Sequence, residues 1–378
     1  MQGIYEGTSL RRIVHASTGH YRNEIRVHLK QCNSLAAAGY EVFFVVADGQ
    51  GDEKIGGVMI VDSGSSTSRL ERMFLGSRRV YNKALALNAD LYHLHDPELL
   101  PMGWRLKKKG KRVVFDSHED VPKQILGKNY LNPFVRKLVS WGFARYESFV
   151  CSRLDGIVGA TPSIRDKFKN INPTSVDINN FPMLGELDAK VPWHNKAIEV
   201  CYVGTIAQAR GVKELVRAME QTRSGARLNM VGAYAEPEVE AEVRTYAGWS
   251  NVNDHGIQNR RGVAEVLGRS VAGLVNLHPL PNYLDALPIK MFEYMSAGIP
   301  VIASSFDLWK EIIEESQSGI CVDPMNPAEI ASAIDYLVSH PDEAQKMGEN
   351  GRRAVLSHYN WTQEEAKLLE FYKQIMPA

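Results

Sequence analysis

Arg12-Ile13-Val14-His15-Ala16-Ser17-Thr18-Gly19-His20 is the stretch on which the fold turns. Arg12 to Ala16 reads as a short buried strand, and Ser17 to His20 as a loop of small residues. A helix is predicted next, with Ile25, Leu29, Cys32 and Ala36 on one face at helical spacing. Gly39 ends it just past the C-cap. Tyr40-Glu41-Val42-Phe43-Phe44-Val45-Val46-Ala47 is then a nearly all-apolar strand, as a parallel sheet covered on both faces requires.

Working outward, the alternation continues. Further strands are predicted at Val58 to Val61, Leu91 to Leu94, Val113 to Phe115 and Gly156 to Gly159, most of them separated by helix-like stretches. The pattern pauses between Phe181 and Lys196, a stretch with two prolines and weak periodicity that reads as a linker. It restarts with a strand at Ile198 to Val203, a loop at Gly204 to Gly211 and a helix at Val212 to Met219. Strands recur near Leu228 to Val231, Gly273 to Leu277, Pro300 to Ala303 and Ile320 to Val322. Near the end, Asn326-Pro327 pairs an N-cap with proline at the first helical position, and Thr362-Gln363-Glu364-Glu365 reads as a capping box opening the last helix. The expected layout is an α/β domain over residues 1–182, a linker at 183–197, a second α/β domain at 198–358 and a terminal helix at 359–378.

Composition limits what such a chain does. Its 378 residues, 44% hydrophobic and 23% charged, suit two domains that bury cores without disulfides or a structural metal. Forty-four basic residues balance 44 acidic ones, which argues against a nucleic-acid partner held by bulk charge. Cys32, Cys151, Cys201 and Cys321 are widely spaced and show no zinc-ligand pattern, so they read as buried thiols in a reducing compartment. The first seven residues lack a basic-then-apolar leader, and no run of about 18 apolar residues occurs. The expected location is the cytoplasm, at the inner face of a membrane.

Several familiar signatures are missing. Gly49 and Gly51 are followed by Lys54 where a dinucleotide fingerprint needs a third glycine, and Gly127-Lys128 is followed by Asn129, so it is no P-loop. No nucleophile elbow occurs. No D-x-D pair offers to hold a divalent ion on a diphosphate, and no metal or other cofactor is expected.

The richest segment runs from Asn282 to Ile302. A helix is predicted to begin near Pro288, placing Glu293 inside it and Asp285 in the loop before it. A helix N-terminus favours an anion such as a diphosphate, and the amides near Ala286, Leu287 and Pro288 stand at that end. A carboxylate held within a helix suits the vicinal hydroxyls of a ribose.

Asp285-x7-Glu293 followed by Tyr294-Met295-Ser296-Ala297-Gly298-Ile299-Pro300 resembles the signature of the retaining family 4 glycosyltransferases with the GT-B fold, where the motif is E-x7-E. Similar too are Cys201-Tyr202-Val203-Gly204-Thr205 with Arg210, the turns at Gly232 and at His255-Gly256-Ile257, and Val113-Val114-Phe115-Asp116-Ser117-His118. The resemblance covers nearly the whole chain and is greatest to the branch that builds bacterial surface polysaccharides. It implies two Rossmann-like domains facing across a cleft, with the C-terminal helix crossing back to the N-terminal domain. It also implies metal-independent transfer of a hexose from a UDP- or GDP-linked sugar to a glycan or lipid-linked acceptor. Glu293 would anchor the ribose, Arg210 the diphosphate, with Lys213 and Lys290 supplying the charge that Thr205 does not. Asp285 and His118 would meet the sugar. Gly19, Gly204, Gly232, Gly256 and Ile257 would line the donor, and His20, His95 and Asp96 the acceptor cleft. A nucleotide-sugar epimerase and a non-catalytic partner subunit are the alternatives.

One segment bears on a membrane. Residues 128–150 mix aromatic and basic side chains, which suits a lipid headgroup region, and Lys107 to Arg112 adds a basic run.

Overall fold

The computed structural model describes residues 11–127, 132–187 and 191–377. It contains two compact units. One runs to Asn179 and takes up the chain again from Glu364; the other is Asn180–Gln363.

The first unit is built on an eight-stranded sheet. In chain order its strands are β1 Arg12–Ala16, β2 Glu41–Val46, β3 Glu53–Ile55, β4 Val58–Asp62, β5 Leu91–Leu94, β6 Arg112–Ser117, β7 Gly156–Gly159 and β8 Ser175–Asp177. They lie in the order β3-β4-β2-β1-β5-β6-β7-β8. Only the β3–β4 pairing is antiparallel. The central strands are apolar on both faces, as double coverage demands. Among the exceptions are His15 and His93, directly paired across β1 and β5, and Asp116 on β6, all fully buried.

The second unit holds a six-stranded, all-parallel sheet. Its strands are β9 Glu199–Val203, β10 Arg227–Val231, β11 Val252–Asp254, β12 Ala272–Val275, β13 Val301–Ser304 and β14 Gly319–Val322, in the order β11-β10-β9-β12-β13-β14. Both sheets carry the chain crossovers of doubly wound folds, so the α/β expectation holds for each unit. The short strands β3, β8 and β11 were not foreseen; three residues give too little pattern to read.

Two local expectations need correction. The helix after β1 opens as a π-helix, Ile25–Cys32, and only then becomes α-helical over Asn33–Ala37. The wider turn buries Arg26 and Gln31, which an α-helical face of Ile25, Leu29, Cys32 and Ala36 would not. The last helix, Trp361–Ile375, starts one residue before Thr362, so Thr362 is not its cap. Asn360 caps it instead, its Oδ1 accepting the Gln363 amide at 3.2 Å. From Glu364 this helix packs within the first unit. Glu364 accepts the Asn179 amide at 2.7 Å, and Phe371 and Ile375 lie so close over Gly156 that a Cβ there would sit 2.7 Å from each.

Of the basic and aromatic segment 128–150, residues 128–131 lie outside those described. The rest forms the helix Pro133–Cys151. Among the described residues no helix is long and apolar enough to cross a membrane.

Candidate functional site

In the second unit the site grows from the C-terminal end of β9. The chain leaves Val203 into Gly204 at φ +121°. Gly232, at φ +151°, lies so close that a Cβ on it would stand 2.0 Å from the Gly204 carbonyl oxygen. Only glycine allows this approach. The helix Ile289–Ser296 is fastened against the same strand end. The Tyr294 hydroxyl accepts the Val203 amide at 2.9 Å, and its ring fills the space that a side chain on Gly273 would take. Trp309 Nε1 donates to the Ala286 carbonyl at 2.7 Å and fixes the turn before the helix.

This docking delivers Lys290 to Gly204. A Cβ on Gly204 would meet Lys290 Nζ at 3.4 Å and Arg210 Nη1 at 3.9 Å, so two cations converge on the hydrogen face of one glycine. Lys290 is only 8% exposed, and no hydrogen-bond acceptor among the described residues reaches its ammonium. The ammonium rests 3.6 Å from the centre of the Tyr202 ring. Burial, and then the Arg210 charge, push the Lys290 pKa well below the usual lysine range. Glu293 attracts the ammonium without bonding it. A buried charge with no hydrogen-bond partner is costly, and an anion at Gly204 would relieve it.

One turn further, Glu293 Oε1 accepts from Arg260 Nη1 at 2.8 Å, and Arg260 Nε donates to Glu186 Oε1 at 2.6 Å. Burial works against the Arg260 charge, but the two carboxylates outweigh it and raise its pKa. Asp285 lies in the turn before the helix, and Ala286, Leu287 and Pro288 lead from it into Ile289, all half-buried. Gly256, at φ +59°, accepts the Gly232 amide at 2.8 Å through its carbonyl, so the two turns lie side by side with Ile257 exposed beyond them.

In the first unit the polar groups gather at β1, β5 and β6. Asp116 is fully buried. Arg26 reaches it with Nη2 at 2.8 Å and Nε at 3.2 Å, and Gln31 Nε2 donates at 2.8 Å. His95 Nδ1 and His118 Nε2 stand 3.4 and 3.5 Å from its Oδ2. Burial pushes the Asp116 carboxyl up, but Arg26 and the two imidazoles outweigh it and hold it well below the usual carboxylate range. From His95 the contacts continue. His15 Nδ1 lies 2.8 Å from His95 Nε2, the Tyr372 hydroxyl 3.2 Å from His15 Nε2, and His93 Nδ1 2.6 Å from that hydroxyl. Burial lowers the pKa of His15 and His93 far below 6.5 and that of His95 to about 4, so these rings are neutral.

The β1 loop is organised by Asp96, whose Oδ2 accepts the Ser17 hydroxyl and the Thr18 amide at 2.7 Å each and the Gly19 amide at 3.2 Å. The His20 ring lies beside that of His118, tilted by 35° with ring centres 4.7 Å apart. Two sets of candidate metal donors arise among the described residues: His15, His93 and His95; and His95, Asp116 and His118. In the second set Asp116 already carries the Arg26 guanidinium, which offsets the charge a cation would need.

Two family patterns match the chain. Glycosyltransferase Family 4 covers residues 26–178, and Glycosyl transferases group 1 covers residues 185–354. The chain belongs to these glycosyltransferases. Within the family it is 27% identical over 184 residues to the alpha-maltose-1-phosphate synthase of Mycobacterium tuberculosis, covering 46% of this chain and 47% of that protein. The chain thus spans about half the length of the curated relatives it matches. Its fold is that of the sucrose-phosphate synthase from Thermosynechococcus elongatus, with a TM-score of 0.77 at 19% identity over 97% of this chain and 99% of that one. The Anabaena protein HepE, solved with UDP and glucose, gives 0.73 at 13% identity over 96% and 100%. The fold is therefore GT-B.

The structure of this glycosyltransferase brings Gly204, Arg210 and Lys290 together, with Glu293 one turn away on the same helix as Lys290. It gathers His20, His95, Asp96 and His118 with Gly19 in the first unit. It does not bring Lys213 to the cations: that ammonium is bound to Glu242 Oε2 at 2.7 Å. Thr205 turns outward and contributes its carbonyl, which accepts the Tyr202 hydroxyl. Arg260, Glu186, Arg26, His15 and Tyr372 were not foreseen. Arg260 follows the His255-Gly256-Ile257 turn by three residues, but nothing in that turn points to its carboxylate partners, and Glu186 flanks no motif. His93-x-His95 and Asp116-x-His118, at the period-two spacing of one sheet face, were a legible signal for the histidine cluster.

Proposed function

We propose that this glycosyltransferase moves a hexose from a nucleoside diphosphate sugar to a hydroxyl of a glycan acceptor, with retention of configuration. One observation carries the reading: Lys290, buried and without a hydrogen-bond acceptor among the described residues, beside Arg210 and the bare face of Gly204. The diphosphate fits there. Its α- and β-phosphate oxygens would take the Lys290 and Arg210 protons and the amides at the start of the Ile289–Ser296 helix. As the bond to the sugar breaks, charge grows on the leaving phosphate, and these fixed cations stabilise it. They meet the charge without a divalent ion, so transfer should survive EDTA. Glu293 would exchange Arg260 for the ribose hydroxyls, and Asp285 would orient the sugar.

The acceptor reading rests on the first unit. A cavity of about 820 Å³ there is lined by Met73, Phe74, Ile125 and Phe143 together with Arg72 and Arg105. An apolar wall with guanidinium groups suits a lipid-linked glycan whose anchor carries phosphate. The helix Pro133–Cys151 exposes Phe134 and Trp141, 74% and 60% accessible, next to basic residues, which suits peripheral contact with the cytoplasmic face of a membrane. Such an enzyme would serve polysaccharide synthesis.

The test is nucleotide binding followed by transfer. UDP is the first diphosphate to assay, since the Anabaena neighbour holds it with glucose, and GDP the second. A thermal shift with one diphosphate, lost in Lys290→Met, and sugar transfer in EDTA are the expected results. Binding that persists in Lys290→Met would refute the site; binding without transfer or hydrolysis would favour a partner subunit.

A further inference from the structure

Glu293 already has a partner in the unliganded protein, and that partner is shared. Arg260 opens the helix Arg260–Arg269. Its Nη1 donates to Glu293 Oε1 at 2.8 Å, and its Nε donates to Glu186 Oε1 at 2.6 Å. One guanidinium is thus divided between two carboxylates, each from a different segment of the second unit. Packing holds all three in place. The Asn259 side chain accepts the Gly262 amide at 2.9 Å and caps the helix that carries Arg260. Glu186 precedes Leu187, which is buried in the same apolar core as Val263 of that helix and Phe292, the neighbour of Glu293. Of the three side chains Glu293 is the least exposed, at 10% against 20% for Glu186 and 36% for Arg260.

This sharing bears on how Glu293 is released. A ribose that takes the Glu293 carboxylate must dislodge an Arg260 N–H. A guanidinium cannot shed its charge, so it needs another acceptor. Glu186 is that acceptor, already bonded through Nε. Arg260 therefore stays paired after Glu293 has turned to the hydroxyls. Without the Glu186 charge, Glu293 is the one carboxylate left to Arg260 among the described residues. A guanidinium fork committed to a single carboxylate makes the tighter pair, and ribose would compete against the whole of it.

We propose that Glu186 is a positioning residue for nucleotide binding: by keeping its share of Arg260 it leaves Glu293 exchangeable, and it sets affinity through the ribose hydroxyls without touching the nucleotide. The proposal rests on the nucleotide reading above and names a group that tunes it. Its sign is distinctive. A nucleoside diphosphate is an anion, so by charge alone the loss of Glu186 would tighten binding. Through Arg260 the loss of Glu186 weakens it.

The test titrates the full chain with UDP and GDP by isothermal calorimetry, each beside its 2′,3′-dideoxy form. Glu186→Gln should weaken whichever diphosphate binds by about tenfold. The dideoxy form offers Glu293 no hydroxyl, so its affinity should stay within about twofold. In an Arg260→Met background, Glu186→Gln should move affinity by less than about twofold, because no guanidinium is left to share. Glu186→Ala repeats the comparison if the glutamine variant folds poorly. Two results overturn the proposal while the nucleotide reading stands. Equal weakening of both forms would make Glu186 part of the fold alone, and unchanged or tighter binding of the ribose form would make it a mere surface charge. If the wild type binds neither diphosphate, the nucleotide reading falls and takes the proposal with it, a result that no variant can mimic.

Discussion

Asp116 in the first unit and Lys290 in the second are both buried charges at the ends of parallel strands, and their surroundings differ in kind. Asp116 is met within 3.5 Å by a guanidinium, an amide and two imidazoles. Lys290 is met by the face of one tyrosine and a repelling arginine, with Glu293 attracting it from a distance but not bonded to it. A charge that the protein satisfies itself contributes to the fold and to geometry. A charge left unsatisfied lowers stability and persists where something outside the chain completes it. The contrast is the ground on which Lys290 is proposed as a ligand group, without reference to any relative.

The contrast can be broken by substitution. The largest effect is expected at Asp116. Asp116→Ala leaves the Arg26 guanidinium buried without its partner and should cost about 3–5 kcal/mol, read as a lower urea midpoint. The next tests the neutral rings. His95 has a folded pKa of about 4 against 6.5 unfolded, so the unfolded chain binds the proton first as pH falls. Stability is fully present above about pH 6.5 and is lost between there and pH 4, by about 3 kcal/mol for His95 alone. Hydrogen exchange should place that loss in β1 and β5, with β9 and β12 spared. Equal acid loss in both sheets would end the comparison.

Lys290→Met should act in opposite senses on two readouts. Nucleotide affinity should fall about 100-fold or more, while the unliganded protein gains about 1–2 kcal/mol, because a buried unpaired charge is replaced by a side chain of similar volume. A loss of both would mean that Lys290 is structural. Arg260→Ala is a smaller probe. It frees Glu293, and since Arg260 is a third exposed, stability should change by less than about 1 kcal/mol while nucleotide affinity changes measurably. The smallest effect belongs to Lys213→Ala. Its ammonium serves Glu242, so nucleotide affinity should stay within about twofold.

Much of this was legible beforehand. The apolar strands, the Gly204 loop and the Asp285-to-Glu293 segment carry their pattern in consecutive residues. What escaped depends on groups brought together from afar. Nothing near Arg260 announces Glu186 and Glu293, which lie 74 and 33 residues away. Lys213 and Lys290 look alike as sequence; only the docking of Tyr294 on Val203 and of Glu242 on Lys213 tells them apart. The π-helical turn that buries Arg26 and Gln31 has no signature, since the spacing of Ile25, Leu29 and Cys32 reads as an ordinary helix.

The last helix imposes an order of events. Tyr372 bonds to His93 and His15 across separations of 279 and 357 residues. A ribosome releases the β1–β8 sheet long before it makes Phe371 and Tyr372. Until then Gly156 lacks its cover and His15 its tyrosine partner. The first unit is therefore closed by a segment far away in the sequence, while the second unit is continuous. Nothing made before Phe371 can complete the first unit's sheet cover.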